Sequence, residues 1–206
     1  MNRTTPPART PSRTYLLAIA GLAAVIAVLT LAFSSWPRTS STASNAAAHM
    51  SRQGHQGVAD GVVPDGVTVF DDATPAVTRL DPELLKALRR AATAAADDGV
   101  AFQVNSGWRS PSYQNRLLRE AVSKYGSEDE AARWVATAET SPHVSGDAVD
   151  IGRSAATAWL SEHGAGHGLC QIYENEPWHY ELRPEATDHG CPRKYADPTQ
   201  DPRTRQ

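Results

Sequence analysis

Apolar side chains are spread unevenly along the 206 residues, and their spacing changes character from one stretch to the next. Residues 15–33, YLLAIAGLAAVIAVLTLAF, form an uncharged apolar run. That is the length a helix needs to cross a hydrocarbon core, about 20 residues. Residues 34–61 are rich in Ser, Thr, Ala, Gly and Gln with few large apolar groups, the pattern of a flexible tether. Regular periods begin after that. Leu84, Leu85, Leu88, Ala91, Ala92 and Ala95 keep helical spacing behind Asp81 as N-cap and Pro82 at the first helical position, and Gly99 closes the run. VAFQVNSG (100–107) reads as a buried strand. A helix is expected from Ser112 to Gly126, and Ser127 with Glu130 forms a capping box that opens another through Ala138. DAVDIG (147–152) alternates as a strand, and Ser154–His163 has the character of a short helix. GLCQIYE (168–174) and WHYELR (178–183) read as a terminal strand pair. Residues 192–206 offer little to bury and are expected to form a flexible tail.

Helical patterns gather toward the N-terminal side of residues 62–191 and strand patterns toward the end. This predicts an α+β domain, a mostly antiparallel sheet with N-terminal helices packed against it. Roughly 130 residues suffice for one core and not for two.

Charge orients the chain. Arg3, Arg9 and Arg13 precede the apolar run, and no acid occurs in the first 33 residues. The positive-inside bias makes residues 1–14 a cytoplasmic N-terminus and 15–33 a transmembrane signal anchor, with everything beyond outside a single-pass cell membrane. A cleaved signal peptide is the competing reading. Its apolar core is usually shorter, with a small-residue cleavage site close behind, whereas Ser34, Ser35, Trp36, Pro37 and Arg38 follow here. Both readings export the domain. The net charge of −3 divides into +3 before residue 34 and −6 after it, which leaves no basic footprint for nucleic acid. In an exported domain the two cysteines, Cys170 and Cys191, are expected as a disulfide, with paired thiolate metal ligands as the alternative.

Strand alternation then sorts the polar residues. Val149 and Ile151 share one face of their strand, so Asp150 and Ala148 share the other. Trp178, Tyr180 and Leu182 likewise leave His179 and Glu181 on the opposite face. His143 precedes Asp150 by seven residues, and Gly146 between them permits a tight reversal. Two imidazoles and a carboxylate make a three-ligand catalytic zinc set with a position left for water. Glu176 lies before His179 with Pro177 between them. The proline interrupts regular pairing and lets a loop aim the carboxylate back as a general base. Each residue alone is more often a hydrogen-bonded surface group. His49, His55, His163, His167 and His189 have simpler readings in the tether, at a helix end or near the tail.

The ordered pattern SPHVSGDAVD…EPWHYE carries more weight. Ser141, His143, Gly146, Ala148 and Asp150, followed by Glu176, Pro177, Trp178 and His179, resemble the signatures of the VanY-like zinc D-alanyl-D-alanine carboxypeptidases over about residues 78–184. The resemblance implies zinc in a cleft on the sheet, held by His143, Asp150 and His179, with Glu176 as catalytic base. Arg109, in SGWRSPSYQ, would stabilise charge on the scissile carbonyl oxygen; a salt bridge to a neighbouring acid is its plainer role. Ser141 and Gln114 would hold the terminal D-alanine, or serve simply as turn and helix-surface hydrogen-bonders. Trp108 and Trp178 are read as core aromatics, with walls of the cleft as the alternative. The implied substrate is a peptidoglycan stem peptide ending in D-Ala-D-Ala, cleaved in glycopeptide resistance or wall maturation. An endopeptidase or dipeptidase with the same metal site, or a non-catalytic wall-binding module, stands as the alternative.

Overall fold

The computed structural model describes residues 56–204. The expected anchor at 15–33 and most of the tether lie outside the described residues; among those described, no helix is long and apolar enough to cross a membrane.

The longest helix, Pro82–Asp97, starts where the sequence places it. The Asp81 carboxylate accepts from the backbone N–H groups of Glu83 and Leu84, and Pro82 occupies the first turn. Leu84, Ala87, Leu88, Ala91 and Ala95 form its buried face. Removing each leucine from water contributes about 1.5–3 kcal/mol. Ser110 caps the helix Pro111–Tyr125, which ends at Gly126 in the left-handed region. Ser154–His163 is helical as expected. The helix opened by Ser127 closes at Ala132, short of the expected Ala138. Beyond it Trp134 stacks on Tyr125 with ring centroids 5.7 Å apart, and the Ala136 carbonyl accepts from Gln114. These contacts require the chain to leave the helix.

Four strands form one antiparallel sheet in the order β1-β2-β4-β3: β1 Gln103–Ser106, β2 Ala148–Gly152, β3 Leu169–Gln171 and β4 His179–Leu182. Each is shorter than its sequence pattern. Val104, Val149, Ile151, Leu169 and Tyr180 turn one face of the sheet into the main core, where helices Pro82–Asp97 and Ser154–His163 cover it. Trp178 precedes β4 and stays out of this core, 38% exposed. The expected shared apolar face of residues 178, 180 and 182 therefore fails at its first member, because the turn from Glu176 ends only at His179.

Two expectations about the ends need correction. The tether was expected to reach residue 61, but Val58–Asp60 form a 3-10 turn docked on the domain. There Ser110 donates to Asp60 through its backbone N–H (2.8 Å) and its hydroxyl (3.0 Å). The expected tail also packs. Tyr195 donates its N–H to the Ile172 carbonyl and accepts from Glu174, Asp197 pairs with Arg133 at 3.1 Å, and Asp201 is fully buried. Apolar patterning misses this segment because ion pairs and hydrogen bonds hold it. The expected disulfide, Cys170–Cys191, ties its start to β3.

Candidate metal centre

The face of the sheet opposite the main core carries the polar cluster. In the β2–β4 register Asp150 lies directly across from His179, and Ala148 from Glu181. Such cross-strand neighbours have Cβ atoms roughly 5 Å apart. Their polar groups therefore meet without any loop having to reach. His143 arrives from the one-turn helix Pro142–Ser145, which ends at Gly146 with φ +88°. A Cβ there would also lie 2.6 Å from the Arg79 carbonyl oxygen, so glycine is required on two counts. The Gly146 carbonyl accepts from Asp81 N–H, the same residue that caps the long helix.

His143, Asp150 and His179 are buried, and one ligand atom from each lies within 4.8 Å of the others. His143 Nε2 stands 3.4 Å and His179 Nδ1 3.2 Å from Asp150 Oδ1. The outer nitrogens are also occupied. His143 Nδ1–H donates to the Gly107 carbonyl at 2.8 Å, and His179 Nε2–H to Glu181 Oε1 at 3.3 Å. This is how metal-ligating imidazoles are oriented, with the outer N–H on a carbonyl or carboxylate and the inner lone pair turned to the cation. The donor set, its burial and this outer support fit zinc.

Glu176 is buried, with Oε2 3.8 Å from His179 Nδ1. Burial pushes its carboxyl up to about 7, while His179 and Arg109 work against the rise. A base tuned near neutrality suits proton transfer. For His143, burial and then Arg109 lower the pKa from its ordinary value. Burial would lower His179 too, but hydrogen bonds to Asp150 and Glu181 outweigh it and raise the ring to about 9. Ligation needs the neutral ring, so proton and cation compete for Nδ1. Burial favours the neutral Asp150 carboxyl, yet its histidine partners and Arg109 hold it well below the carboxylate range.

Arg109 reaches the cluster from the β1-to-helix junction. Its Nε donates to Ser106 Oγ (2.7 Å), Nη1 to Gln114 Oε1 (3.1 Å) and Nη2 to Asp150 Oδ2 (2.9 Å). The salt bridge weighed against its catalytic role is thus present, and its acid is one of the candidate ligands. Gln114 is buried rather than on a helix surface, and its Nε2 donates to the Ala136 carbonyl. Ser141 is buried at the N-cap of the His143 helix, where its side chain makes no capping bond. All three line a cleft of about 530 Å³ with the cluster, Trp134 and Trp178. Trp178 is therefore a cleft wall. Trp108 lies under the Arg79 guanidinium, 4.3 Å from its ring centroid, and does not line the cleft.

Gly107 and Ser106 carry no signal in the sequence pattern, and their parts follow only from the folded backbone. Glu181 carried a usable signal, since it shares a strand face with His179.

Comparison with known proteins supplies the family. A family model, VanY: D-alanyl-D-alanine carboxypeptidase, matches residues 77–185. A D-alanyl-D-alanine carboxypeptidase of Enterococcus faecalis is 32% identical over 127 residues, covering 50% of this chain and 47% of that protein. The chain thus spans about half the length of that curated relative. Among solved structures, a mutant of the vancomycin-resistance D,D-pentapeptidase VanY from a VanB-type cassette, in complex with Zn(II), is 30% identical. The match covers 50% of this chain and 72% of that one, with a TM-score of 0.47. The LD-carboxypeptidase LdcB matches with a TM-score of 0.50 at 24% identity over 65% of this chain and 73% of its own, a likeness of fold.

Proposed function

The chain belongs to the VanY D-alanyl-D-alanine carboxypeptidase family, and from that premise we propose that it is a zinc-dependent D,D-carboxypeptidase. Its proposed substrates are peptidoglycan stem peptides ending in D-Ala-D-Ala, from which it releases D-alanine. The observation that carries this reading is the convergence of His143, Asp150 and His179 on one point of a cleft that also holds Glu176 and Arg109.

Zinc held by His143 Nε2, Asp150 and His179 Nδ1 would supply Lewis acidity, making water a better nucleophile near neutral pH and polarising the scissile carbonyl. The remaining work falls to the protein. Glu176 takes the proton of the attacking water and returns it to the departing amine, a shuttle favoured by a carboxyl pushed up to about 7. Arg109 has five N–H donors, three of them engaged by Ser106, Gln114 and Asp150. The other two can meet the oxyanion as it forms. Gln114 accepts from Arg109 and donates to the Ala136 carbonyl, which fixes Arg109 and leaves a second N–H and a second lone pair for the terminal D-alanine. The Ser141 hydroxyl makes no capping bond and lines the cleft, which suits it to the terminal carboxylate of the substrate.

The apolar run at 15–33 behind three arginines supports an exported, membrane-anchored enzyme, placed where wall peptides are found. Shortening the stem peptide there would serve wall maturation or glycopeptide resistance.

The test uses the full-length chain. Offered D-Ala-D-Ala dipeptide, a peptide ending Lys-D-Ala-D-Ala and intact muropeptide, it should release D-alanine from the longer substrates. A chelator should stop the release and added zinc restore it. A zinc-loaded protein that releases no D-alanine from either longer substrate would refute the reading.

A further inference from the structure

Behind His179 lies a second layer of charge that the reaction does not use. Glu181 is 1% exposed, yet three cationic or hydrogen-bonding groups converge on it. Oε1 accepts from His179 Nε2–H at 3.3 Å, and Oε2 from Arg183 Nη2 and Arg203 Nη1, each at 2.6 Å. Arg203 also donates through Nη2 to Glu181 Oε1 at 3.3 Å, making the pair bidentate. It is held in turn by Asp201, which takes its Nε (3.1 Å) and Nη2 (2.5 Å) as well as the Tyr173 hydroxyl (3.0 Å). The Tyr173 ring packs 5.1 Å from the His179 ring.

Arg203 belongs to the segment expected as a flexible tail. The β3–β4 register puts Cys170 across from Glu181. The disulfide to Cys191 therefore starts this segment beside the residue its far end reaches. Between those points Tyr195 bridges to Tyr173, and Pro198 lines the catalytic cleft. Residues 191–204 thus form a strap clamped at both ends on the back of the metal centre.

Two acids and two arginines balance in this layer. Without Arg203, Glu181 would keep Arg183 and His179 but lose its bidentate partner, and Asp201 would keep only the Tyr173 hydroxyl among its side-chain partners; a buried carboxylate short of a partner is strongly disfavoured. Glu181 would then draw on water or another donor and turn from Nε2. The ring of His179 would lose the bond that directs Nδ1 inward.

We propose that Glu181 is a positioning residue that aims His179 at the metal, and that Arg203 of the C-terminal strap is what holds Glu181 in place. This deepens the metallopeptidase reading above and rests on it. Outer partners of metal-ligating histidines typically govern about 10- to 100-fold in metal affinity.

The experiment measures zinc affinity of the full-length chain by competition with a chromophoric chelator, and the visible absorption of the cobalt-substituted protein. Arg203→Ala should weaken zinc binding about 10- to 100-fold and alter the cobalt bands, with a native far-UV circular dichroism spectrum. Glu181→Gln should weaken it in the same range. Arg203→Lys keeps the charge but loses the bidentate geometry, and should fall between wild type and Arg203→Ala. Asp197→Ala removes the strap's pair with Arg133 without touching Glu181, and should leave zinc affinity unchanged. Wild-type affinity in Arg203→Ala, which is half-exposed and therefore the variant least disturbing to the fold, would overturn the proposal. Equal losses in Arg203→Ala and Asp197→Ala would also overturn it, by reducing the effect to strap packing. A wild-type chain that fails to bind zinc would instead refute the metal reading itself.

Discussion

The two histidines of the metal centre face one carboxylate, but they are supported in different ways. His143 leans on backbone: its outer nitrogen meets the Gly107 carbonyl, and its one-turn helix ends at a glycine packed against Arg79. His179 leans on side chains, namely Glu181 and the arginines behind it. A backbone carbonyl cannot be mutated away and moves only with the fold. A carboxylate held by arginines is open to substitution at every link. One side of the site therefore inherits its precision from chain geometry, and the other from buried charge.

Substitutions can sharpen that contrast or break it. The largest effect is expected from Glu176→Gln, which keeps the shape of the cleft and removes the base. Turnover should fall about 10²- to 10⁴-fold, measured as D-alanine release, with zinc stoichiometry retained. Turnover near wild type would take Glu176 out of the mechanism. Arg109→Ala removes the group that bridges the two sides through Asp150. It should cost about 10²- to 10³-fold in kcat, as loss of an oxyanion donor does; a change confined to KM would reassign Arg109 to binding. On the His179 side, replacing Cys170 and Cys191 together by serine should lower stability by roughly 3 kcal/mol for a loop of this size. Denaturant titration reads this, and an unchanged midpoint would show that the strap is held without the bridge. On the His143 side, Gly146→Ala forces a side chain into the left-handed region and should lower stability by about 1–2 kcal/mol. The crowding against Arg79 adds to that, and thermal unfolding would register it. If that variant unfolds like wild type, the backbone support claimed for His143 is not rigid.

How much of this was legible in the sequence follows the same divide. Period-two alternation placed Asp150 and His179 on the non-core face, and their direct opposition is the step the register adds. Caps were readable because they are local: Asp81, Ser127 and Gly126 act within a turn of themselves. The strap leaves no trace in the apolar pattern, since the bond between Arg203 and Glu181 joins a strand to an irregular segment with no period of its own. Helical spacing alone leaves Gln114 on a helix surface, whereas it is buried in the cleft wall and braces Arg109. That difference depends on where residue 136 lies after the chain leaves its helix. Trp178 kept the period of its strand and yet fell outside it, because the turn at Glu176 outranks alternation there.

The position of β2 also bears on how the site fails. Asp150 sits on a strand paired along both edges, by β1 and by β4. Backbone amides in such strands open only when the whole domain opens, whereas loop segments fluctuate at much lower cost. Hydrogen exchange at Asp150 and Ile151 should therefore track global unfolding, while exchange near Glu176 runs ahead of it. The enzyme can lose its base to a local excursion and recover it at once. The backbone that carries the carboxylate ligand gives way only with the domain.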